Sequence, residues 1–273
     1  THGPGASLLQ VPRADLDFPS CFKLAKEKNV GIWLWGYWDE LEKHGVEETL
    51  ALYEKWGVKG VKIDFMDRCD QEMVNWYEKV VRAAMKHRIM VNFHGAFKPT
   101  GMNRTWPNQI TREGILGNEF NLFNRRVTPT HTATLPFTRY LLGPGDFTPG
   151  SINNVHGEDF IPQSAARAKA APGAFIPGSE IGTRAHALAL CVAFDSPLMT
   201  LCDWPERYRG QAGVEALRNL PTVWLETKAL QGSIGRYYAV ARKAESGAWY
   251  FAAITVDART LEQKLDFLGA GDY

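Results

Sequence analysis

Three short apolar runs, centred near residues 33, 62 and 91, recur at intervals of about thirty residues, with a helical stretch between each pair. No other feature of the chain restricts its fold as strongly. A strand, a helix and a further strand at that spacing form a right-handed crossover, and successive crossovers build a parallel sheet. The first run is Gly31-Ile32-Trp33-Leu34-Trp35, after a basic helical stretch from Cys21 to Lys28. Glu47 to Trp56 then sets Leu50, Tyr53 and Trp56 at helical spacing, and Gly57 stops that helix. Val58 to Phe65 supplies the second strand. Asp70 is placed to cap a helix whose Met73, Trp76, Tyr77, Val80 and Ala84 share one face, and Ile89 to Phe93 supplies the third strand.

The rhythm loosens beyond that point. Gly114 to Phe120 is expected to be extended, and residues 121–180, rich in Pro, Gly, Thr and Asn, are expected to be long excursions from the sheet. Ala185 to Phe194 regains helical character. After Thr222 the pattern turns to alternation, in Ile234 to Ala241 and again in Trp249 to Thr255, around a polar turn at Lys243 to Ala248. That is an antiparallel hairpin, so a small β appendage is expected to begin near residue 235.

A length of 273 residues suits one α/β barrel or two ordinary domains. The 31 basic and 30 acidic residues are interspersed, which leaves no footprint for nucleic acid or a membrane surface. No signal peptide is read, and no apolar run has the length of a bilayer span. Cys21, Cys69, Cys191 and Cys202 have neither zinc nor redox spacing, and Cys191 and Cys202 read as small core residues. Whether any of them pair is left open.

Residues at the C-terminal ends of the strands of a parallel barrel face the active site. Lys62-Ile63-Asp64 ends one strand, with Lys62 and Asp64 on the same side. Two charges on one face of a buried strand are paired or employed, the plain alternative being a buried ion pair or a strand-end charge that reaches solvent. His94 ends the next, as a structural histidine or a contact for a sugar hydroxyl. Glu113 and Glu119 are six residues apart, an even spacing that sets both carboxylates on one face if the segment is extended. Two acids so placed repel unless a cation or a shared proton relieves them, and Ca²⁺ with its oxygen ligands is one solution. The plain alternative pairs Glu113 with Arg112 or Arg104 and leaves Glu119 in solvent. No Gly-x-Ser-x-Gly elbow, metal-spaced histidine pair or phosphate-cradling loop occurs, so carboxylate chemistry remains.

The stretches Gly31-Ile-Trp-Leu-Trp, Gly60-Val-Lys-Ile-Asp-Phe-Met-Asp and Asn92-Phe-His-Gly-Ala-Phe-Lys-Pro-Thr-Gly resemble glycoside hydrolase family 97. So do Arg104-Thr-Trp-Pro-Asn, the run from Thr111-Arg-Glu-Gly to Gly117-Asn-Glu-Phe-Asn, Asp195-Ser-Pro-Leu and Trp224-Leu-Glu-Thr; Leu225 departs from the pattern, where an aspartate is expected. The resemblance implies a (β/α)₈ TIM barrel in residues 1–232, with its first strand and the family's N-terminal β-sandwich missing. Residues 233–273 would be the start of the C-terminal β domain. It also implies Asp64 as nucleophile and Glu119 as acid/base of a retaining α-galactosidase. The positions of the inverting branch's base glutamates hold Trp38 and Gly95 here. Lys62, His94 and Trp35 would bind the sugar, and Glu113, with Glu119 as the weaker ligand, would hold Ca²⁺. Retention predicts a separation of about 5–5.5 Å between the two catalytic carboxyls. An α-glucosidase of the same family, or a carbohydrate-binding remnant with little turnover, are the alternatives. The resemblance further suggests a periplasmic or secreted setting and allows a homo-oligomer.

Overall fold

The computed structural model describes residues 9–12, 14–172 and 174–269, which divide into two compact units, residues 1–114 and 115–273. The first unit is the periodic part of the sequence made solid. A helix α1 (Phe18–Glu27) leads to strand β1 (Trp33–Tyr37), and α2 (Trp38–Lys43) and α3 (Val46–Trp56) lead to β2 (Gly60–Asp64). Then come α4 (Gln71–Lys86), β3 (Met90–Phe93), a single turn α5 (Met102–Thr105) and β4 (Gln109–Arg112). The four strands pair in sequence order, all parallel.

Local chemistry sets these boundaries. Asp70 caps α4 by accepting from the Met73 amide, and Gly57 ends α3 at φ 85°, a left-handed turn that costs a side-chain-bearing residue strain. The α4 face of Met73, Trp76, Tyr77, Val80 and Ala84 is buried as its spacing requires, joined by Val81 and Ala83. It shares one core with Leu50, Tyr53, Val61, Ile63, Val91 and Phe93. Gly60 lies opposite Trp33 in the ladder, and a Cβ there would sit 2.3 Å from the indole ring, so the bulk on one strand is matched by a gap on the next.

The second unit has fewer long elements. A 3₁₀ turn (Asn118–Leu122) and helix α6 (Pro129–Thr134) come first. Strand β5 (Asn154–Val155), helix α7 (Gln163–Arg167) and strand β6 (Glu180–Ile181) follow, with β5 and β6 a short parallel pair. Helix α8 (Arg184–Ala193), capped by Thr183, buries Leu190 and Ala193 with Phe194 beside Val240, Ala252 and Ile254. The last three belong to a three-stranded antiparallel sheet of β7 (Glu226–Ser233), β8 (Tyr237–Lys243) and β9 (Trp249–Thr255).

Three expectations need correcting. Glu113 and Glu119 do not share the face of one extended segment: β4 ends at Arg112, Gly114 turns left-handed at φ 52°, and Glu119 sits on the 3₁₀ turn. The antiparallel sheet opens at Glu226 rather than near 235, because β7 precedes the expected hairpin. Of the two cysteines read as core, Cys191 is buried but Cys202 is exposed; all four cysteines are free. No helix among the described residues is long and apolar enough to cross a membrane.

Candidate active site

The first unit gathers its chemistry at the C-terminal ends of β1 to β4. The ladder aligns Trp35 with Lys62 and Tyr37 with Asp64, and Lys62 with Asn92 on the other side, so neighbouring strand ends are brought level. Asp64 is 7% exposed and ends β2. Its Oδ2 accepts from the Trp35 indole Nε1 at 2.9 Å and lies 3.1 Å from His94 Nδ1; its Oδ1 accepts from the Phe65 amide at 2.7 Å. Both oxygens are thus engaged, and Oδ1, with one partner, keeps lone-pair capacity.

The His94 ring reaches in two directions. Nδ1 faces Asp64, and Nε2 lies 3.4 Å from Glu113 Oε1. Glu113 is anchored in turn, its Oε2 accepting from the Gly95 amide at 2.7 Å. Burial alone would raise the Asp64 carboxyl. The hydrogen bond and charge of His94, with the bonds from Trp35 and the Phe65 amide, outweigh it and hold Asp64 below the usual carboxylate value. Burial likewise pulls His94 down, and the Lys62 charge does the same. The hydrogen bond to Asp64 and the charges of Glu113 and Asp64 prevail, so His94 is raised above an ordinary imidazole. Both ring nitrogens thus face carboxyl oxygens, an arrangement that favours the protonated ring.

Gly95 is required where it stands. It adopts φ 55°, and a Cβ would fall 2.7 Å from the Phe65 nitrogen and 3.0 Å from Asp64 Oδ1. No side chain fits there without moving the carboxylate. Phe65 also turns left-handed, at φ 65°, and leaves its ring half exposed. That ring lies 5.1 Å from Tyr37 and 6.3 Å from Trp35, centroid to centroid, giving an aromatic wall beside Asp64. Trp35 was named from the sequence as a sugar-binding residue, not as part of a wall. Phe65 was not, since alternation turns it away from Asp64, and the positive φ that restores it has no sequence signal in a non-glycine residue.

Trp35, Asp64, His94 and Glu113 are thus linked in a chain of contacts, and Lys62 acts on His94 by its charge. Glu119 belongs to the second unit, exposed on the 3₁₀ turn. As a cation site the first unit offers little by itself. Both Asp64 oxygens have donors, one Glu113 oxygen holds the Gly95 amide, and the other faces a ring that favours its protonated form. A hard cation wants six or more oxygens, so Glu113 fits as one ligand and the remainder of a Ca²⁺ shell is not supplied here. A separate cavity of about 740 Å³, lined by Phe22, Trp56 and four lysines, lies at the N-terminal ends of β1 and β2, away from Asp64.

A parallel sheet that gathers acids at the C-terminal ends of its strands is an arrangement shared by barrel enzymes of many kinds, glycosidases among them. The comparisons give the particular family. Residues 5–115 match the model described as "Glycoside hydrolase 97", and residues 223–273 match "Glycosyl-hydrolase 97 C-terminal, oligomerisation". The chain belongs to glycoside hydrolase family 97. It is 35% identical over 272 residues to a "Retaining alpha-galactosidase" of Bacteroides thetaiotaomicron, covering 98% of this chain and 39% of that protein. A "Probable retaining alpha-galactosidase" of Streptomyces bingchenggensis is 35% identical over 257 residues, with 93% and 36% covered. A family 97 enzyme of Pseudoalteromonas sp. strain K8, solved in complex with acarbose, superposes with a TM-score of 0.81 at 32% identity, over 96% of this chain and 42% of that one. The chain spans about two fifths of the length of these relatives.

Proposed function

We propose that this chain carries the catalytic residues of a retaining α-galactosidase, on a sheet that is part of a (β/α)₈ barrel. Asp64 is the nucleophile and Glu119 the acid/base. The observation that carries the reading is the state of Asp64: a nucleophile must be ionised, and three donors at the end of β2 keep it so. Gly95 adds to it. An inverting enzyme needs a base across the sugar, and the position where that branch of the family carries one is closed here to any side chain. The two curated relatives, by name retaining α-galactosidases, support the same stereochemistry.

In the first step Asp64 Oδ1 attacks the anomeric carbon while Glu119 gives its proton to the departing glycosidic oxygen. In the second, Glu119 takes a proton from water, which attacks the same carbon and expels Asp64. Two inversions give net retention. His94 and Lys62 hold sugar hydroxyls, and Trp35 and Phe65 offer ring faces to the apolar side of the sugar. Ca²⁺ is proposed as a bound ion with Glu113 among its ligands and Glu119 as a weaker one. It would supply positive charge near the sugar, and no step above depends on it. The C-terminal sheet is proposed to mediate self-association, and a periplasmic or secreted setting is proposed for the protein.

Proton NMR of the anomeric signals during hydrolysis of p-nitrophenyl α-galactoside tests the reading. First-formed α-galactose is expected, and first-formed β-galactose sinks it. Faster turnover of the α-glucoside would move the assignment to an α-glucosidase. Sugar binding in titration without turnover would leave a carbohydrate-binding remnant.

A further inference from the structure

One buried acid has no part in the steps above. Glu180, on β6, is 3% exposed. Its Oε2 accepts from Asn118 Nδ2 at 3.2 Å, and it also accepts from the Ser151 amide. Asn118 is engaged on every side: its Oδ1 accepts from Asn121 Nδ2 at 2.6 Å, and its own amide donates to the Phe147 carbonyl at 2.8 Å. These bonds span the five-residue 3₁₀ turn that carries Glu119. Such a turn has few backbone bonds and poor hydrogen-bond geometry, so side chains decide how firmly it is held. Successive residues on it point about 120° apart, since three make one turn. Asn118 and Asn121 point inward and are buried, while Glu119 points outward. Fixing the inward residues therefore fixes the direction of the outward one.

We propose that Glu180 is a positioning residue, which acts through Asn118 to hold the turn that presents Glu119. The inference rests on Glu119 being the acid/base. It explains why a carboxyl is kept where burial pushes it up to about 7. The other titratable groups facing it are Asp203, whose charge adds to that rise, and the Cys191 and Cys202 thiols, both held above the ordinary thiol value and so neutral. Arg207 pairs with Asp203 at 3.3 Å, and Arg184 donates to the Ile152 carbonyl. An apolar residue would fill the space at less cost, but it would leave the Asn118 amide without an acceptor.

Leaving-group dependence distinguishes positioning from bulk stability. An alkyl galactoside needs a proton on its departing oxygen, whereas p-nitrophenolate leaves without one. Glu180→Ala in the full-length protein is expected to lower kcat/KM about tenfold or more on the alkyl substrate, and less than about threefold on the aryl one. Asn118→Ala should give the same pattern, and the double variant should be no worse than either alone. Should Glu180→Ala fail to fold, Asn118→Ala carries the test. Equal losses on both substrates, no loss, or additive losses overturn the proposal. Glu119→Ala is the control. If it lacks the same selectivity, the reading of Glu119 fails; if it shows it and the other variants do not, only the role of Glu180 fails.

Discussion

The two units of this molecule hold their acids in different ways. In the first, Asp64 and Glu113 stand at the ends of strands whose ladders fix them, and a single ring ties them together. In the second, Glu119 rides on a short turn, and side-chain amides backed by the buried Glu180 do the work a ladder does elsewhere. The contrast teaches that rigidity has two sources. Backbone pairing is regular and tolerates most substitutions at the surface. A chain of side-chain bonds is specific, and one lost link releases the rest.

The sharpest break in this comparison comes from the ladder-held side. Asp64→Asn is expected to cut kcat by roughly 10⁴-fold, with Asp64→Gly partly rescued by azide to a glycosyl azide. A loss of tenfold or less would take the nucleophile away from β2. Next is the buried acid of the second unit. Folded Glu180 keeps its proton up to about 7, whereas the unfolded chain releases it near the ordinary value of 4.5. The folded state thus binds more protons between those values, and the stability due to this group falls as pH rises through them, by about 3 kcal/mol. Glu180→Gln should flatten that slope in urea melts at pH 5 and pH 8, and an unchanged slope would mean Glu180 is ionised throughout. Gly95→Ala follows, at roughly 2 kcal/mol, from a left-handed φ and a Cβ driven onto Phe65. A thermal melt matching wild type would show that the strand end yields after all. The smallest effect is expected for Thr183→Ala, which removes the cap of α8 for about 1 kcal/mol. It would show the second unit's regular helix obeying the same rule as those of the first.

The same division governs what could be read in advance. Strands near 33, 62 and 91, the cap at Asp70 and the stop at Gly57 all follow from periodicity and local propensity, and the first unit is built from little else. The site residues of that unit were legible because a charge ending an apolar strand stands out. What it lacked was contact: nothing in the spacing of His94 and Glu113 says that one ring reaches both acids. Where the first unit gives way to the second along the sequence, Glu113 and Glu119 misled, because an even spacing implies a shared face only in extended chain, and Gly114 breaks it. Strand β7 escaped notice because Glu226, Thr227, Lys228 and Gln231 dilute its apolar pattern and a register shift between Ala229 and Gln231 interrupts the alternation. Glu180 sits in a two-residue strand between loops, where no period exists to mark it.

The ring shared by Asp64 and Glu113 has a consequence for how the site responds to acid. With His94 charged, the three groups together carry one net negative charge; removing that single proton leaves two. A proton gained or lost by the ring changes the field at both acids it faces, because it stands between them. The ends of β2, β3 and β4 are thus joined electrically through one ring.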